Sequence, residues 1–246
     1  MALPGLPEVT AGASLVALMM SALQRAGTAL QAGDILVLAQ KIVSKAEGRM
    51  VQLASVTPSA RAQAIAREAN KDPRFVELIL RESRAIVRVK PGIIIAEHKL
   101  GFIMANAGID QSNLPHAEDA VLLLPEDADA SARKLRHALR VETGVDAGVL
   151  IIDSFGRAWR HGVTGTAIGV AGLPALVDQR GNRDREGRVL KVTQVAAADE
   201  LAAAASLVMG QADEGTPVVL ARGFPYVQRD SAVTELLRPE AEDLFR

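Results

Sequence analysis

The stretch "GVLIIDSFGRAWRHGVTG", residues 148–165, decides how we interpret the fold. Its first five residues form an uninterrupted apolar run that stops at Asp153, which is typical of a buried strand. Residues 154–162 are mostly polar residues and glycines, among them two glycines and two arginines, so we expect a loop there. The single Trp of the chain, Trp159, lies in this predicted loop. A carboxylate at the end of a buried strand predicts a ligand site at that edge of a sheet.

The composition and the net charge exclude several classes of protein. The chain has 246 residues, of which 49% are hydrophobic, and this is enough for a sizeable core. The formal net charge of -1 gives no basic field for nucleic acid. There is no Cys, which excludes disulfides and thiolate chemistry and fits a reducing compartment. With no signal-peptide pattern and no apolar run of about 18 residues, we expect a cytoplasmic protein without a membrane or nucleic-acid partner.

Helices are predicted in several separate parts of the chain. Apolar residues at helical spacing mark residues 13–31. Residues 58–84 read as two helices that are split near Pro73, which cannot continue the first helix and suits the start of the second. Residues 127–144 begin with acidic caps and end on a glycine, so they carry ordinary start and stop signals. The alanine-rich segment 197–210 is a further predicted helix.

Strands are predicted between and after these helices, and the two kinds of element alternate without a regular βαβ rhythm. Three short strands are expected within residues 85–108. Further strands are expected at residues 33–40, 121–125, 147–153, 165–172, 187–196 and 216–224. The tail, 231–245, is predicted to be helical. This order favours an α+β fold, or a mixed α/β fold, over a doubly wound one. A domain boundary near residues 113–120 or 140–148 would fit the sequence, but nothing requires one, and we expect a single domain over residues 1–246.

Common motifs for nucleotide, metal or nucleophilic chemistry are missing from the sequence. There is no GxxxxGK[ST] phosphate loop and no dinucleotide fingerprint, since the glycines of "GTAIGVAG" have the wrong spacing. There is no GxSxG nucleophile elbow. The four histidines have no paired spacing, which makes a zinc site improbable.

Short polar clusters instead follow several apolar runs. Each one alone is typical of a turn. Together they offer hard oxygen ligands, which suit Mg²⁺ or Mn²⁺ rather than Zn²⁺, and cations that could meet phosphates. The oxygen ligands are Asp110, Asp153, Ser154 and Gln211, and the cations are Lys41, Lys45, Arg157 and Arg160. These residues indicate a metal-dependent enzyme that handles phosphate.

In their order along the chain, the clusters resemble one family, the coenzyme F-420-0 gamma-glutamyl ligases. The segments that carry the resemblance are "PGLPEV", "QKIVSKAEGR", "AGIDQSN", "DSFGRAWRHG", "AADELAAAASLVMGQADEGTP" and "ARGF". It covers essentially the whole chain, and we expect the ligase domain alone, without the C-terminal nitroreductase-like domain of some relatives. The resemblance implies an α+β fold in an intertwined homodimer. A requirement for K⁺ rests on the resemblance alone.

The activity implied by the resemblance is the joining of L-glutamate to a deazaflavin coenzyme precursor. GTP would phosphorylate the terminal carboxylate of the precursor, and the glutamate amine would attack the acyl phosphate. Two divalent ions, Mg²⁺ or Mn²⁺, would assist. An amide ligase on the same scaffold with another acceptor acid or nucleotide is one alternative. A non-catalytic nucleotide-binding relative is another, although it would be expected to lose the metal carboxylates.

The resemblance also assigns roles to residues of this chain. Asp110 and Asp153 match the ligands of one metal ion, and Ser154 and Gln211 match those of the second. The residues that match nucleotide contacts are Leu6, Pro7, Glu8, Val9, Gln40, Lys41, Lys45, Asn113, Met209, Gly210, Ala212, Asp213, Glu214, Gly215 and Thr216.

Asp110 and Asp153 are the predicted catalytic carboxylates, and our own candidate for an anionic substrate group is Arg157, with Arg160 beside it. A loop salt bridge explains either arginine equally well. Trp159 could stack on the deazaflavin, but a lone loop Trp more often packs against its neighbours.

Overall fold

The computed structural model describes residues 1–112 and 119–243, and its architecture is α+β, as the sequence predicts. The helices are α1 (Leu15–Arg25), α2 (Gln40–Ala46), α3 (Ala60–Ala69), α4 (Pro73–Glu82), α5 (Ala128–Thr143) and α6 (Ala197–Met209). The strands are β1 (Ile35–Ala39), β2 (Met50–Gln52), β3 (Ser83–Lys90), β4 (Ile93–His98), β5 (Ile103–Ala105), β6 (Ala120–Leu122), β7 (Gly148–Arg157), β8 (Arg160–Ala171), β9 (Val177–Asp178), β10 (Gln194–Val195) and β11 (Val218–Ala221). None of the described helices is long and apolar enough to cross a bilayer.

Capping residues set the ends of the predicted helices. The Asp72 carboxylate accepts the Arg74 N–H at 2.7 Å, and Pro73 occupies the first position of α4. The Asp127 carboxylate accepts the Ala130 N–H at 2.8 Å at the start of α5. These side chains satisfy backbone donors that a first helical turn otherwise leaves unpaired. The local sequence therefore determines where α4 and α5 begin.

The main sheet has the strand order β11-β1-β7-β8. β1 and β7 run parallel, and the other two pairs are antiparallel. β1 ends at Ala39, beside Ile152 of β7, which places Gln40 and Asp153 close together at the carboxyl end of β1. β11 begins at the same edge, where the Ala39 N–H donates to the Pro217 carbonyl at 2.9 Å. Crevices outside the carboxyl ends of parallel strands are common ligand sites.

Helices α5 and α6 hold the edge strand β8 through one carboxylate each. Asp129 of α5 accepts the Val170 N–H at 2.8 Å, and Asp199 of α6 accepts the Ala167 N–H at 2.9 Å. Burial raises the pKa of both carboxyls. The two bonds lie on either side of a bulge at Ile168. They pair strand donors that would otherwise face outward from the sheet.

The apolar side chains form two cores. The larger one surrounds the main sheet and includes the inner faces of α1, α5 and α6. The smaller one lies among α3, α4 and the three-stranded sheet β3-β4-β5. The single-domain organisation and the homodimer stay predictions.

The prediction of a loop at residues 154–162 is wrong. β7 continues through Arg157 and β8 begins at Arg160, so the segment is a hairpin with a two-residue turn. Trp159 has a left-handed φ of 61° in this turn, and Gly162 has a φ of 84° just after it. The glycine and the polar side chains belong to an exposed hairpin, which the sequence pattern does not distinguish from a loop.

Three further expectations need correction. In place of the strand expected over 187–196, Gln194–Val195 forms a two-residue strand and Val189 makes an isolated bridge to Arg183, and the last strand is shorter than 216–224. In the described part of the tail, two short 3-10 turns replace the predicted helix, and Pro239 between them lacks the N–H that a continuous helix needs. The short helix α2 was not predicted.

Candidate functional site

A cavity of about 460 Å³ opens at the carboxyl edge of β1 and β7. It gathers most of the residues that the sequence assigned to nucleotide and metal. The predicted residues that line it are Leu6, Pro7, Glu8, Val9, Gln40, Lys41, Lys45, Asp153, Ser154, Met209, Gly210, Gln211, Ala212, Asp213, Glu214, Gly215 and Thr216. The predicted nucleotide contact Asn113 lies outside the described residues.

Three separate segments reach this edge because of the sheet topology. Residues 1–3 bond along β11, where the Leu3 N–H donates to the Val218 carbonyl at 2.8 Å, and this brings residues 6–9 to the cavity. α2 follows β1 directly. The segment 209–217 connects α6 to β11 across the same edge.

Asp110 is tied to the cavity wall through Lys41. The Lys41 Nζ lies 2.7 Å from Asp110 Oδ2 and donates to Ser112 Oγ at 2.7 Å. Ser112 donates its N–H and its hydroxyl to Asp110 Oδ1 at 2.7 and 2.8 Å. Burial alone would raise the pKa of Asp110, but these hydrogen bonds and the Lys41 charge outweigh it and hold the pKa below its ordinary value. Asp110 is therefore an ionised carboxylate at neutral pH.

The surroundings of Asp153 shift the pKa of its carboxyl in the opposite direction, upward. Burial raises the pKa of its carboxyl to about 7, against the hydrogen bond from the Ser154 N–H, and the neighbouring charge of Asp110 adds to the rise. The Lys41 charge only partly opposes it. Of the two carboxylates, only Asp153 lines the cavity. Two carboxylates that repel each other favour a bound cation, because a cation stabilises both charged forms.

Ser154 and Gln211 form a second oxygen pair on the wall. The Ser154 hydroxyl donates to Gln211 Oε1 at 2.8 Å. At the other end of the same amide, Gln211 Nε2 donates to Ser206 Oγ at 2.7 Å. A hydroxyl from β7 and an amide oxygen from the segment after α6 thus stand side by side at the cavity.

Two further polar groups on the wall come from α2. The Lys45 Nζ donates to Glu8 Oε1 at 2.5 Å, which joins α2 to the N-terminal segment. Gln40 Oε1 accepts from the Ser44 hydroxyl at 2.9 Å, while Gln40 Nε2 is buried without a hydrogen-bond partner among the described residues. Buried amide N–H groups are rarely unpaired, so this donor fits an acceptor supplied by a ligand.

The hairpin tip is separate from the cavity wall. Arg157 is exposed, and its Nη2 reaches only the His161 carbonyl at 3.5 Å among the contacts of the described residues. Trp159 is 81% exposed at the turn. The position of Arg157 in one chain therefore gives no support to its predicted catalytic role, which stays a prediction.

The oxygen ligands at the cavity fit a small divalent cation. Among the described residues, no group of three or more His, Cys, Asp or Glu side chains could hold a metal. Asp110 and Asp153 could supply two carboxylates to a bound ion, and Ser154 and Gln211 could add hydroxyl and amide oxygens. Mg²⁺ is held in this way, by one or two carboxylates together with substrate phosphates and water.

Comparison with known proteins identifies the family of the chain. The model of the F420-0:gamma-glutamyl ligase family matches residues 5–223, a span that contains every residue lining the cavity. The chain belongs to this family. The resemblance drawn from the sequence motifs is thereby confirmed.

Relatives in three archaea are each named coenzyme F420:L-glutamate ligase. The protein of Methanothermobacter thermautotrophicus is 49% identical over 244 residues, which cover 98% of this chain and 96% of the relative. That of Methanopyrus kandleri is 51% identical over 221 residues, or 88% and 87% of the two chains. That of Natronomonas pharaonis is 43% identical over 252 residues, or 100% and 94%.

Sequence reasoning missed two serines that hold the predicted ligands. Ser112 lies inside the quoted "AGIDQSN" cluster, two residues after Asp110, which is the spacing of a side-chain-capped turn. Ser206 is a lone hydroxyl in the alanine-rich face of α6 and is only 7% exposed. A polar residue on a buried helix face is a signal that the sequence contained.

The pKa of Asp153 leads to a prediction for the metal-free protein. Its ordinary value is 3.8 and its folded value is about 7, so the folded state holds this proton more tightly than the unfolded chain does. Stability is therefore lost as the pH rises from about 4 to 7 and is not lost further above 7. Asp153→Asn has no titrating carboxyl at this position, so it does not undergo this loss of stability. Its stability relative to wild type should be about 3 kcal/mol greater at pH 8 than at pH 5, since a pKa unit is about 1.4 kcal/mol.

Urea unfolding of both proteins in EDTA at the two pH values measures this difference. Comparison of the variant with wild type cancels the titration of the other carboxyls. An equal stability difference at pH 5 and pH 8 would contradict the raised pKa.

Proposed function

We propose that this protein is a GTP-dependent ligase that adds L-glutamate to the deazaflavin precursor of coenzyme F-420, with two divalent metal ions. The observation that carries the proposal is the cavity wall that brings together Asp153, the Ser154–Gln211 oxygen pair and Lys41, whose Nζ pairs with Asp110. Family membership and the names of the relatives support the same activity. The homodimer, the K⁺ requirement and the cytoplasmic location are further proposals.

The first step activates the acceptor. A carboxylate oxygen of the precursor attacks the γ-phosphorus of GTP, the bond from that phosphorus to the β–γ bridging oxygen breaks, and GDP leaves. The product is an acyl phosphate. This step is needed because a free carboxylate is a poor electrophile at neutral pH.

The second step forms the amide. The neutral amine of L-glutamate attacks the acyl carbon, the bond from this carbon to the phosphate oxygen breaks, and inorganic phosphate leaves. The nitrogen loses one proton as the amide forms. The net products are GDP, phosphate and the precursor lengthened by one glutamate.

The proposed roles of the wall residues follow from their charges. Asp110 and Asp153 would hold one divalent ion, and Ser154 with Gln211 would hold the second. When bound, these ions would neutralise phosphate charge during phosphoryl transfer. Lys41 and Lys45 would add positive charge beside the same phosphates.

Segment 209–216 would surround the nucleotide with backbone groups. Gly210 has a φ of 77°, and a side-chain carbon there would collide with the Glu214 carboxylate. Glu214 also accepts the Ala212 N–H at 2.8 Å, so the segment folds tightly upon itself. This compact loop would take the place of a glycine-rich phosphate loop.

Two alternatives use the same cavity differently. An amide ligase with another acceptor acid or another nucleotide would need the same metal and phosphate residues. A non-catalytic nucleotide-binding relative would not need both Asp110 and Asp153, and the presence of both argues against it.

Release of GDP tests the proposal. GDP should appear from GTP and Mg²⁺ only when both L-glutamate and the deazaflavin precursor are present. Release with neither substrate, or no release with both, would overturn the proposal. Parallel assays with ATP, and with other amino acids in place of glutamate, distinguish the first alternative.

Lys45→Ala is expected to raise the KM for GTP about tenfold with a smaller change in kcat, because it removes a cation from the nucleotide side of the cavity. Initial rates at varied GTP measure this change. Lys191→Ala, which removes a cation in the exposed 179–193 segment, is the matched control and should leave KM unchanged. An unchanged KM in Lys45→Ala would limit Lys45 to its structural bond with Glu8.

A further inference from the structure

Three consecutive residues with left-handed φ values lie just before Ile109 and Asp110. Asn106 has a φ of 51°, Ala107 of 52° and Gly108 of 68°, and we call residues 106–108 the left-handed turn. Single residues adopt such values in many turns, but a run of three is rare, because the Cβ of an L-residue comes too close to the following carbonyl oxygen. Strain of this kind persists only where the surrounding structure enforces it, and it is concentrated at functional sites.

Both apolar cores hold the left-handed turn in place. The Ala107 side chain is completely buried in the smaller core. A side-chain carbon at Gly108 would lie 2.6 Å from Met104 Cε and 2.9 Å from Leu124 Cδ1, and both of these residues belong to the larger core. Asn106 Oδ1 also accepts the N–H of Ile94, in β4, at 3.3 Å. The turn therefore lies where the two cores meet, and contacts with both enforce its conformation.

The hand of the turn decides where the chain goes next. Turns built from left-handed and right-handed residues are mirror images, so a right-handed turn after β5 would lead the chain elsewhere. The left-handed turn leads it to β6, where the Asp110 N–H donates to the Leu122 carbonyl at 3.0 Å and the Leu122 N–H donates to the Asp110 carbonyl at 2.8 Å. At this place the Asp110 carboxylate pairs with Lys41 of α2.

The two carboxylates of the proposed metal site are attached to different cores. Asp153 directly follows Ile152, which is buried in the larger core, whereas Asp110 follows Ile109, which is buried in the smaller one. The place of Asp110 relative to Asp153 therefore depends on how the two cores are joined. The left-handed turn contacts both cores and is separated from Asp110 by a single residue, so a change in the turn would move Asp110 without disturbing the main sheet.

We propose that the left-handed turn positions Asp110 for a divalent cation, with Asn106 as the positioning residue. Asparagine tolerates a left-handed φ better than most residues that carry a side chain, so Asn106 allows the run to begin. That the ligand is a cation rests on the proposed function, whereas the effect of the turn on the place of Asp110 does not. Removal of a group that orients a metal ligand typically lowers metal affinity by about 10- to 100-fold.

The first experiment uses the metal-free full-length protein and reports only on the place of Asp110. NMR measures the solvent exchange of the Asp110 and Leu122 N–H groups, which join these two residues. Asn106→Val should make both exchanges several-fold faster, because a β-branched residue strongly disfavours a left-handed φ. Asn106→Gly loses the same side chain but adopts this φ freely, so its exchange rates should stay within about twofold of wild type.

Asn70→Val is the matched control for strain. Asn70 has a φ of 50° at the end of α3, so valine is strained there in the same way. This variant should leave the exchange of the Asp110 and Leu122 N–H groups close to that of wild type. An acceleration in Asn106→Val no larger than that in Asn106→Gly or Asn70→Val would overturn the proposal.

The second experiment measures the binding of Mn²⁺ in the presence of GDP, followed by the EPR signal of free Mn²⁺. Asn106→Val should weaken one Mn²⁺ site about tenfold. Asn106→Gly and Asn70→Val should each change Mn²⁺ affinity less than about twofold, since neither disturbs the hand of the turn. If Asn106→Val does not fold, Asn106→Ala takes its place in the same comparison, with a smaller loss of affinity in the same direction.

The comparison of valine with glycine at residue 106 separates the backbone conformation from the lost side chain. An equal loss of Mn²⁺ affinity in both variants, or an unchanged affinity in Asn106→Val, would overturn the proposal. If wild type binds no Mn²⁺ with GDP, the proposed function fails and the cation role of the turn fails with it. The exchange experiment still decides whether the turn fixes the place of Asp110.

Discussion

Asp153→Asn is expected to lower kcat at least about 1000-fold. Asparagine keeps the shape of the side chain but removes one of the two carboxylates at the cavity wall, so Asp110 alone would face the cation. The loss corresponds to about 4 kcal/mol of transition-state stabilisation, since each factor of ten is about 1.4 kcal/mol. A bound divalent ion contributes several kcal/mol in metal-assisted catalysis.

Initial rates of GDP release and titration with Mn²⁺ measure this effect together. The affinity for Mn²⁺ should fall with kcat, and the folded state should be retained or stabilised. Asp178→Asn is the matched control, because Asp178 is an exposed carboxylate of β9 that pairs with Arg180. A rate within tenfold of wild type in Asp153→Asn would remove Asp153 from the metal site.

Gly165→Ala is expected to destabilise the fold by about 2 kcal/mol, within the usual cost of overpacking. The added carbon would meet the Ala202 carbonyl oxygen and the Ser206 side chain, so α6 must move away from β8. For a chain of this size, the melting temperature should fall by roughly 4–8 °C. Turnover should also fall, because the displaced end of α6 carries Gln211.

Gly156→Ala provides the control within the same hairpin. No heavy atom lies within 4 Å of the added carbon at Gly156, and the residue does not have a left-handed φ. Its free energy of unfolding should stay within about 0.5 kcal/mol of wild type. Scanning calorimetry compares the two variants. Equal melting temperatures would contradict the close packing of α6 on β8.

Much of the local structure could be predicted from the sequence because its signals are local. Asp72 with Pro73 and Asp127 each mark a helix start in the chain itself. The strand pairing could not be predicted in this way. The parallel contact of β1 with β7 joins segments more than a hundred residues apart, and no turn specifies it.

The hairpin at Trp159 shows a second limit of sequence reasoning. Its glycines and polar residues satisfy the rules for a loop equally well, since an exposed two-stranded arm has no buried face to impose alternation. The helix predicted for the tail, 231–245, was wrong for the opposite reason. Its apolar spacing suits a helix, but Pro239 interrupts it.

The residues of the candidate site were predicted best where a side chain that can bind a ligand also follows a buried apolar run. Asp153 and Ser154 stand out because polar side chains directly follow a buried strand. Gln211 needed the family resemblance, since its segment is an ordinary turn in isolation. The packing of Ser206 against Gly165 could not be predicted, because it joins segments that are distant in sequence.

Mass spectrometry of the deazaflavin product shows directly whether the protein adds L-glutamate to the precursor at the expense of GTP. The purified protein is incubated with the precursor, L-glutamate, GTP and Mg²⁺, and the same mixture without GTP is the control. We expect a product heavier than the precursor by one glutamyl residue, formed with one GDP per amide bond and absent without GTP. An unchanged precursor in the complete mixture, or a glutamylated product that forms without GTP, would contradict this expectation.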